Sequence, residues 1–116
     1  MFSNPKFIIL LRNLLEASIE GKVQWEETPV EESFRVFLGS AIVRVSRTFD
    51  EVFERTCYSV VLVDQDGKSL DEITTGRTDD EGEQRLLIDL FEVARRRALD
   101  VDGLLDGLIQ SLNKKR

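Results

Sequence analysis

The residues best spaced for chemistry lie in the run Asp64-Gln65-Asp66-Gly67-Lys68. Some metal nucleases set an Asp and a D/E-x-K motif on neighbouring strands, where two carboxylates hold Mg²⁺ and the lysine steadies a hydroxide. Asp66-Gly67-Lys68 has that spacing, with Asp50 or Asp64 as the second carboxylate. The competing reading is a solvated hairpin turn, because Asp-Gly tolerates the left-handed backbone a tight turn needs. The turn is the favoured reading, and a Mg²⁺-dependent nuclease using Asp66 and Lys68 stands as an alternative. A calcium loop fails outright. Placing Gly67 at its sixth position puts Leu62 at position one and Ile73 at position twelve, where carboxylates are required.

Composition removes most other chemistries. The chain has 116 residues, no histidine and a single cysteine. A Ser-His-Asp triad, a Cys-His dyad and a His-containing metal site are therefore excluded. One thiol can form neither an internal disulfide nor a thiolate zinc cluster. Cys57 has no histidine partner and reads as a packing residue. No catalytic residue, cofactor or metal ligand is expected. The apolar run Phe7–Leu11 is too short for a signal peptide or a membrane span, so a cytoplasmic protein away from the membrane is expected. With 41% hydrophobic residues, one domain with a real core is the natural reading.

Three helices and four strands must position these residues. Asn4 and Pro5 form a helix start, and Phe7, Leu10, Leu11, Leu14 and Leu15 share one face, which predicts a helix to about Glu20. Residues 22 to 33 read as a connector, with Val23 and Trp25 alternating as at a strand start. Trp25 reads as an anchor to the core rather than a ligand platform. Phe34–Leu38 and Ala41–Val45 flank Gly39-Ser40, a hairpin with Gly at the first centre of a II′ turn. Folding it there pairs Leu38 with Ala41, Val36 with Val43 and Phe34 with Val45, all apolar and on one face. Strands over Cys57–Val63 and Ser69–Thr74 follow. Leu87, Leu90, Phe91, Ala94 and Ala98 then mark a helix that begins among Asp79, Asp80, Glu81 and Glu83 and ends with Arg95, Arg96 and Arg97, as the macrodipole favours. A break near Asp100 precedes a last helix with the stripe Val101, Leu104, Leu105, Leu108 and Leu112. Gly103 and Gly107 give it a GxxxG spacing suited to close helix packing. The expected fold is α+β: an N-terminal helix, a four-stranded antiparallel meander and two C-terminal helices packed on the sheet.

Three features suit a partner better than a substrate. The second sheet face is mixed, with Phe37, Ile42, Val61, Val63 and Leu70 beside Arg35 and Arg44, and it needs a cover. Phe49, Val52 and Phe53 fall at a hairpin tip if that hairpin turns near Asp50-Glu51. Residues 64 to 83 hold Asp64, Asp66, Asp71, Glu72 and four further acids against Lys68 and Arg77, a local balance of -6 that equals the net charge of the whole chain. Such an acidic lobe repels nucleic acid and can mimic it towards a basic partner.

At Gly21-Lys22-Val23-Gln24-Trp25-Glu26-Glu27-Thr28 and at Ala94-Arg95-Arg96-Arg97-Ala98-Leu99-Asp100-Val101-Asp102 the chain resembles a family of small bacterial proteins of uncharacterised function. The resemblance implies a bacterial or phage-like setting and the same layout of helix, Gly-Lys-x-x-Trp-Glu connector, meander and helical end. It implies no activity. The expectation is a non-enzymatic protein-interaction module of accessory, immunity or regulatory type. Its partner is another protein or a second copy, and not nucleic acid. An acidic nucleic-acid mimic is the third reading.

Overall fold

The computed structural model describes residues 4–114. The fold is α+β, and the elements run α1 (Pro5–Ile19), β1 (Glu26–Glu27), β2 (Ser33–Leu38), β3 (Ala41–Asp50), β4 (Arg55–Asp64), β5 (Ser69–Thr74), α2 (Glu81–Ala98) and α3 (Val101–Lys114). Five antiparallel strands form one sheet in sequential order, one more than the meander expected from sequence. The extra strand is β1, where Glu26 pairs Arg35 and Glu27 pairs Phe34. Two glutamates have no strand propensity of their own. They are held there because Trp25, just before them, is buried and its indole N–H donates to Ser18 Oγ at 2.8 Å.

The expected hairpin register holds pair by pair. Leu38 faces Ala41, Val36 faces Val43 and Phe34 faces Val45. Gly39 has φ +59°, as the first central residue of a II′ turn requires. The next hairpin is longer than its apolar pattern. Pairing continues past Val45 to Asp50 and starts again at Arg55, since ladder hydrogen bonds do not need apolar side chains.

Asn4 caps α1 by accepting from Lys6 N at 2.9 Å, with Pro5 in the first turn. Asp80 caps α2 by accepting from Glu83 N at 3.1 Å. Phe7, Leu11 and Leu14 of α1 and Leu86, Leu87, Leu90, Phe91 and Ala94 of α2 are buried in one core with Val36, Val43, Val45, Val60 and Ile73 of the sheet. The two helices are also fastened to each other at their ends. Arg97 of α2 donates to the carbonyl of Ile19 at 2.7 Å, satisfying an orphan acceptor at the α1 C-terminus.

α3 departs from expectation. It is not packed on the sheet: it buries no residue, and its principal contact is with the end of α2. The reason is space. Five strands span about 19 Å between outer axes, and helices pack about 10 Å apart, so one face takes two helices. α1 and α2 fill it. Asp100 takes φ +48° and turns the chain away between α2 and α3. The result is elongated, 59 × 36 × 26 Å with a radius of gyration of 16.0 Å. A compact chain of this length has about 13 Å. Among the described residues no helix is long and apolar enough to cross a membrane.

Candidate functional site

The loop that carries Asp66 and Lys68 is organised as a turn. Asp64 Oδ1 accepts from Asp66 N at 2.9 Å and from Lys68 N at 2.8 Å, so its carboxylate is committed to shaping the loop. Gly67 has φ +84° and closes the turn through its N–H to the Asp64 carbonyl. Asp50 is remote. It sits at the far end of the hairpin from Ala41, the partner of Asp64, about 30 Å away at ~3.3 Å per residue. Its carboxylate caps the opposite turn by accepting from Val52 N at 2.9 Å and Phe53 N at 3.3 Å. Among the described residues no group of three or more His, Cys, Asp or Glu is placed to hold a metal. Asp64, Asp66 and Lys68 thus share one turn, and Asp50 is not brought to it.

The acidic stretch is divided rather than gathered. Asp71 pairs with Leu62, whose side chain joins the core side of the sheet, while Glu72 pairs with Val61 on the other face. Asp71 and Glu72 therefore point to opposite sides. Asp80 is the α2 cap, and Glu81 and Glu83 occupy its first turn. Asp64, Asp71, Asp80, Glu81 and Glu83 thus each have a local structural role beside their charge.

The second sheet face is partly open. Phe37 is exposed and packs under the Arg35 guanidinium, 5.3 Å from its ring centroid. Ile42 is half-buried, and Val61 is only 9% exposed, so Val61 is not available to a partner. The connector folds over this face. A groove of about 250 Å³ lies between Thr28, Pro29 and Val30 on one side and Ile42 and Val63 on the other. Leu70 has no cross-strand partner, because a bulge lies opposite Leu62 and Val63, and it is exposed on the edge strand.

The hairpin tip is apolar and bare. The turn spans residues 51 to 54, one step beyond Asp50-Glu51, with Glu54 at φ +49°. Phe49, Val52 and Phe53 are all exposed, Val52 to 84%. Arg55 stacks on Phe53 at 5.1 Å, which shields one side of the ring. Behind the tip, Arg47 pairs with Glu32 and Glu92 and lies 4.8 Å over the Phe91 ring. Partial burial works against its charge, but hydrogen bonding to Tyr58 and Glu32 outweighs this and raises its pKa. This cluster closes the open end of the core and commits the Arg47 guanidinium to it.

A further apolar surface is one that the sequence pattern had assigned to the interior. Leu104, Leu105, Leu108, Ile109 and Leu112 of α3 are all exposed, Leu112 to 71%. They form one stripe, about 140° wide at 100° per residue. Gly103 and Gly107 lie on the opposite side of the helix. A Cβ at Gly107 would meet nothing within 4 Å, and one at Gly103 would meet only the Asp100 carboxylate. The GxxxG pair therefore mediates no close helix packing within the chain. Two signals for exposure were present in the sequence: two glycines inside a short helix, and a sheet whose width admits only two covering helices. Searches against protein-family models, curated proteins and solved structures returned no match to the chain.

Proposed function

We propose that the chain is a non-enzymatic protein-interaction module whose main binding element is α3, with the tip of the β3–β4 hairpin as a secondary contact. The observation that carries this reading is the uncovered stripe. A helix of 14 residues with no buried side chain lacks the tertiary packing that normally stabilises such a short helix. A contiguous apolar surface of this kind on a charged domain marks an interaction site. Phe49, Val52 and Phe53 add a compact aromatic anchor of the type that dominates interface energies. A cytoplasmic setting belongs to the same reading, with Cys57 as a free thiol.

The test is affinity capture from host extract with three baits: the native chain, Leu108→Asp and Phe53→Ser. Neither substitution touches the core, so all three baits fold. A protein, or a second copy of the chain, retained by the native bait and lost from Leu108→Asp supports the reading. Identical retention by all three contradicts it.

A further inference from the structure

We propose that the occupant of the α3 stripe is α3 of a second copy, packed antiparallel across a two-fold axis. This rests on the interaction-module reading and names its partner.

Three observations point to self-pairing. The first is that α3 needs a cover its own fold does not provide. Gly103 and Gly107 lower its helix propensity, and isolated helices under about 15 residues are marginal in water. Among the described residues, α1 and α2 already cover the core face of the sheet.

The second observation is the symmetry of the stripe. Its apolar positions are 101, 104, 105, 108, 109 and 112, with intervals of 3, 1, 3, 1 and 3. That series reads the same from either end. An isologous interface needs a surface complementary to its own two-fold image. Placing two copies antiparallel sets Val101 against Leu112, Leu104 against Ile109 and Leu105 against Leu108, with no apolar position left over. A parallel pair also aligns apolar positions, so charge must decide between the two.

The third observation is that charge. Asp100 and Asp102 lie at the start of α3, Asp106 follows in its second turn and Lys114 stands in its last turn, while Arg96 pairs with Asp102. With Arg96 these charges sum to -1 in a chain whose net charge is -6, so pairing through this segment meets less repulsion than the rest of the surface would bring. Antiparallel packing brings Lys114 of each helix towards Asp100 at the start of the other and opposes the two macrodipoles. Parallel packing puts like charges together.

The size of the surface sets the strength. A helix of this length is about 21 Å long, and one face of it buries on the order of 500 Å² per copy. That is below the roughly 800 Å² per partner of a standard stable interface. The pair is therefore a reversible dimer rather than an obligate one.

The test combines sedimentation with site-specific crosslinking, in full-length chain with Cys57→Ser so that only introduced thiols react. Val101→Cys and Leu112→Cys are prepared separately and then mixed, with a short bismaleimide as the probe. Antiparallel pairing predicts crosslinked dimer in the mixture and almost none from either variant alone. It also predicts a concentration-dependent dimer by sedimentation that Leu108→Asp weakens at least about 100-fold, because each copy then places a carboxylate in the apolar seam near the axis. Self-crosslinking of each variant alone overturns the antiparallel arrangement. A dimer indifferent to Leu108→Asp overturns α3 as the seam. A strict monomer whose α3 is bound by a different captured protein overturns self-pairing and leaves the module reading standing, whereas a strict monomer that captures nothing overturns both.

Discussion

α2 and α3 are adjacent helices with the same kind of apolar stripe and opposite fates. α2 buries Leu86, Leu87, Leu90, Phe91 and Ala94, and α3 buries nothing. The difference does not lie in the stripes. It lies in what stands opposite them. α2 meets a sheet face lined by Phe34, Val36, Val43, Val45 and Val60, and Phe34 and Tyr58 add ring contacts to Phe91 at 5.7 and 5.5 Å. By the time the chain reaches α3, that face is full. An amphipathic pattern therefore states that a face must be covered, and the remainder of the fold decides whether the cover comes from inside the molecule.

The largest expected effect separates the two helices directly. Leu90→Ala opens a cavity in a site with no solvent access and should lower unfolding free energy by about 2–5 kcal/mol, read from urea denaturation. Leu108→Ala should change the same quantity by less than about 0.5 kcal/mol at dilute concentration, because it removes no buried contact. Equal losses would mean that α3 is part of the core.

A middle-sized effect concerns the contact that ties the connector and β1 to α1. Ser18 Oγ donates to the Leu14 carbonyl at 2.6 Å and accepts from the Trp25 indole at 2.8 Å, all of it buried. Ser18→Ala leaves the indole N–H without a partner and should cost about 1–3 kcal/mol by thermal or urea unfolding. Loss of less than a few tenths would show that the Trp25 anchor holds by packing alone.

The smallest effect sharpens the comparison inside α3. Gly107→Ala adds a methyl group in open space and should stabilise the helix by about 1 kcal/mol, slowing amide exchange across α3 about fivefold. Gly103→Ala should gain less, since its Cβ would sit 2.4 Å from an Asp100 carboxylate oxygen and that exposed side chain must rotate away. If the two substitutions behave alike, the Asp100 turn between α2 and α3 is not as described.

Much of this contrast was legible in the chain itself, and the illegible part has physical causes. The alternation around Gly39-Ser40 determined the β2–β3 register, because a slip of one residue would move Phe34, Val36 and Val43 to the other face. Helix ends were marked by Asn4, Pro5, Asp80 and Asp100. β1 was hidden, because Glu26 and Glu27 are strand residues only by virtue of the buried Trp25 beside them. The length of the β3–β4 hairpin was hidden beyond Val45, because Arg47 and Thr48 break the apolar alternation while keeping their backbone bonds. The apolar tip at Phe49, Val52 and Phe53 was readable once the turn was placed. The acidic stretch looked like one lobe in sequence, but strand pleating sends Asp71 and Glu72 to opposite sides. The exposure of α3 could not be read from its leucine stripe, which has the same spacing whether a sheet, another helix or a second molecule covers it; only Gly103 and Gly107 and the width of the sheet pointed to it.

The most direct test of an α3 that depends on an external cover is amide hydrogen exchange on the native chain over a wide range of protein concentration. Amides of α2 should exchange slowly and at a rate independent of concentration, as expected for the centre of the core. Amides of α3 should exchange fast in dilute solution and become protected as concentration rises, to an extent that Leu108→Asp abolishes. Strong protection of α3 in the most dilute sample, equal to that of α2, would contradict the account.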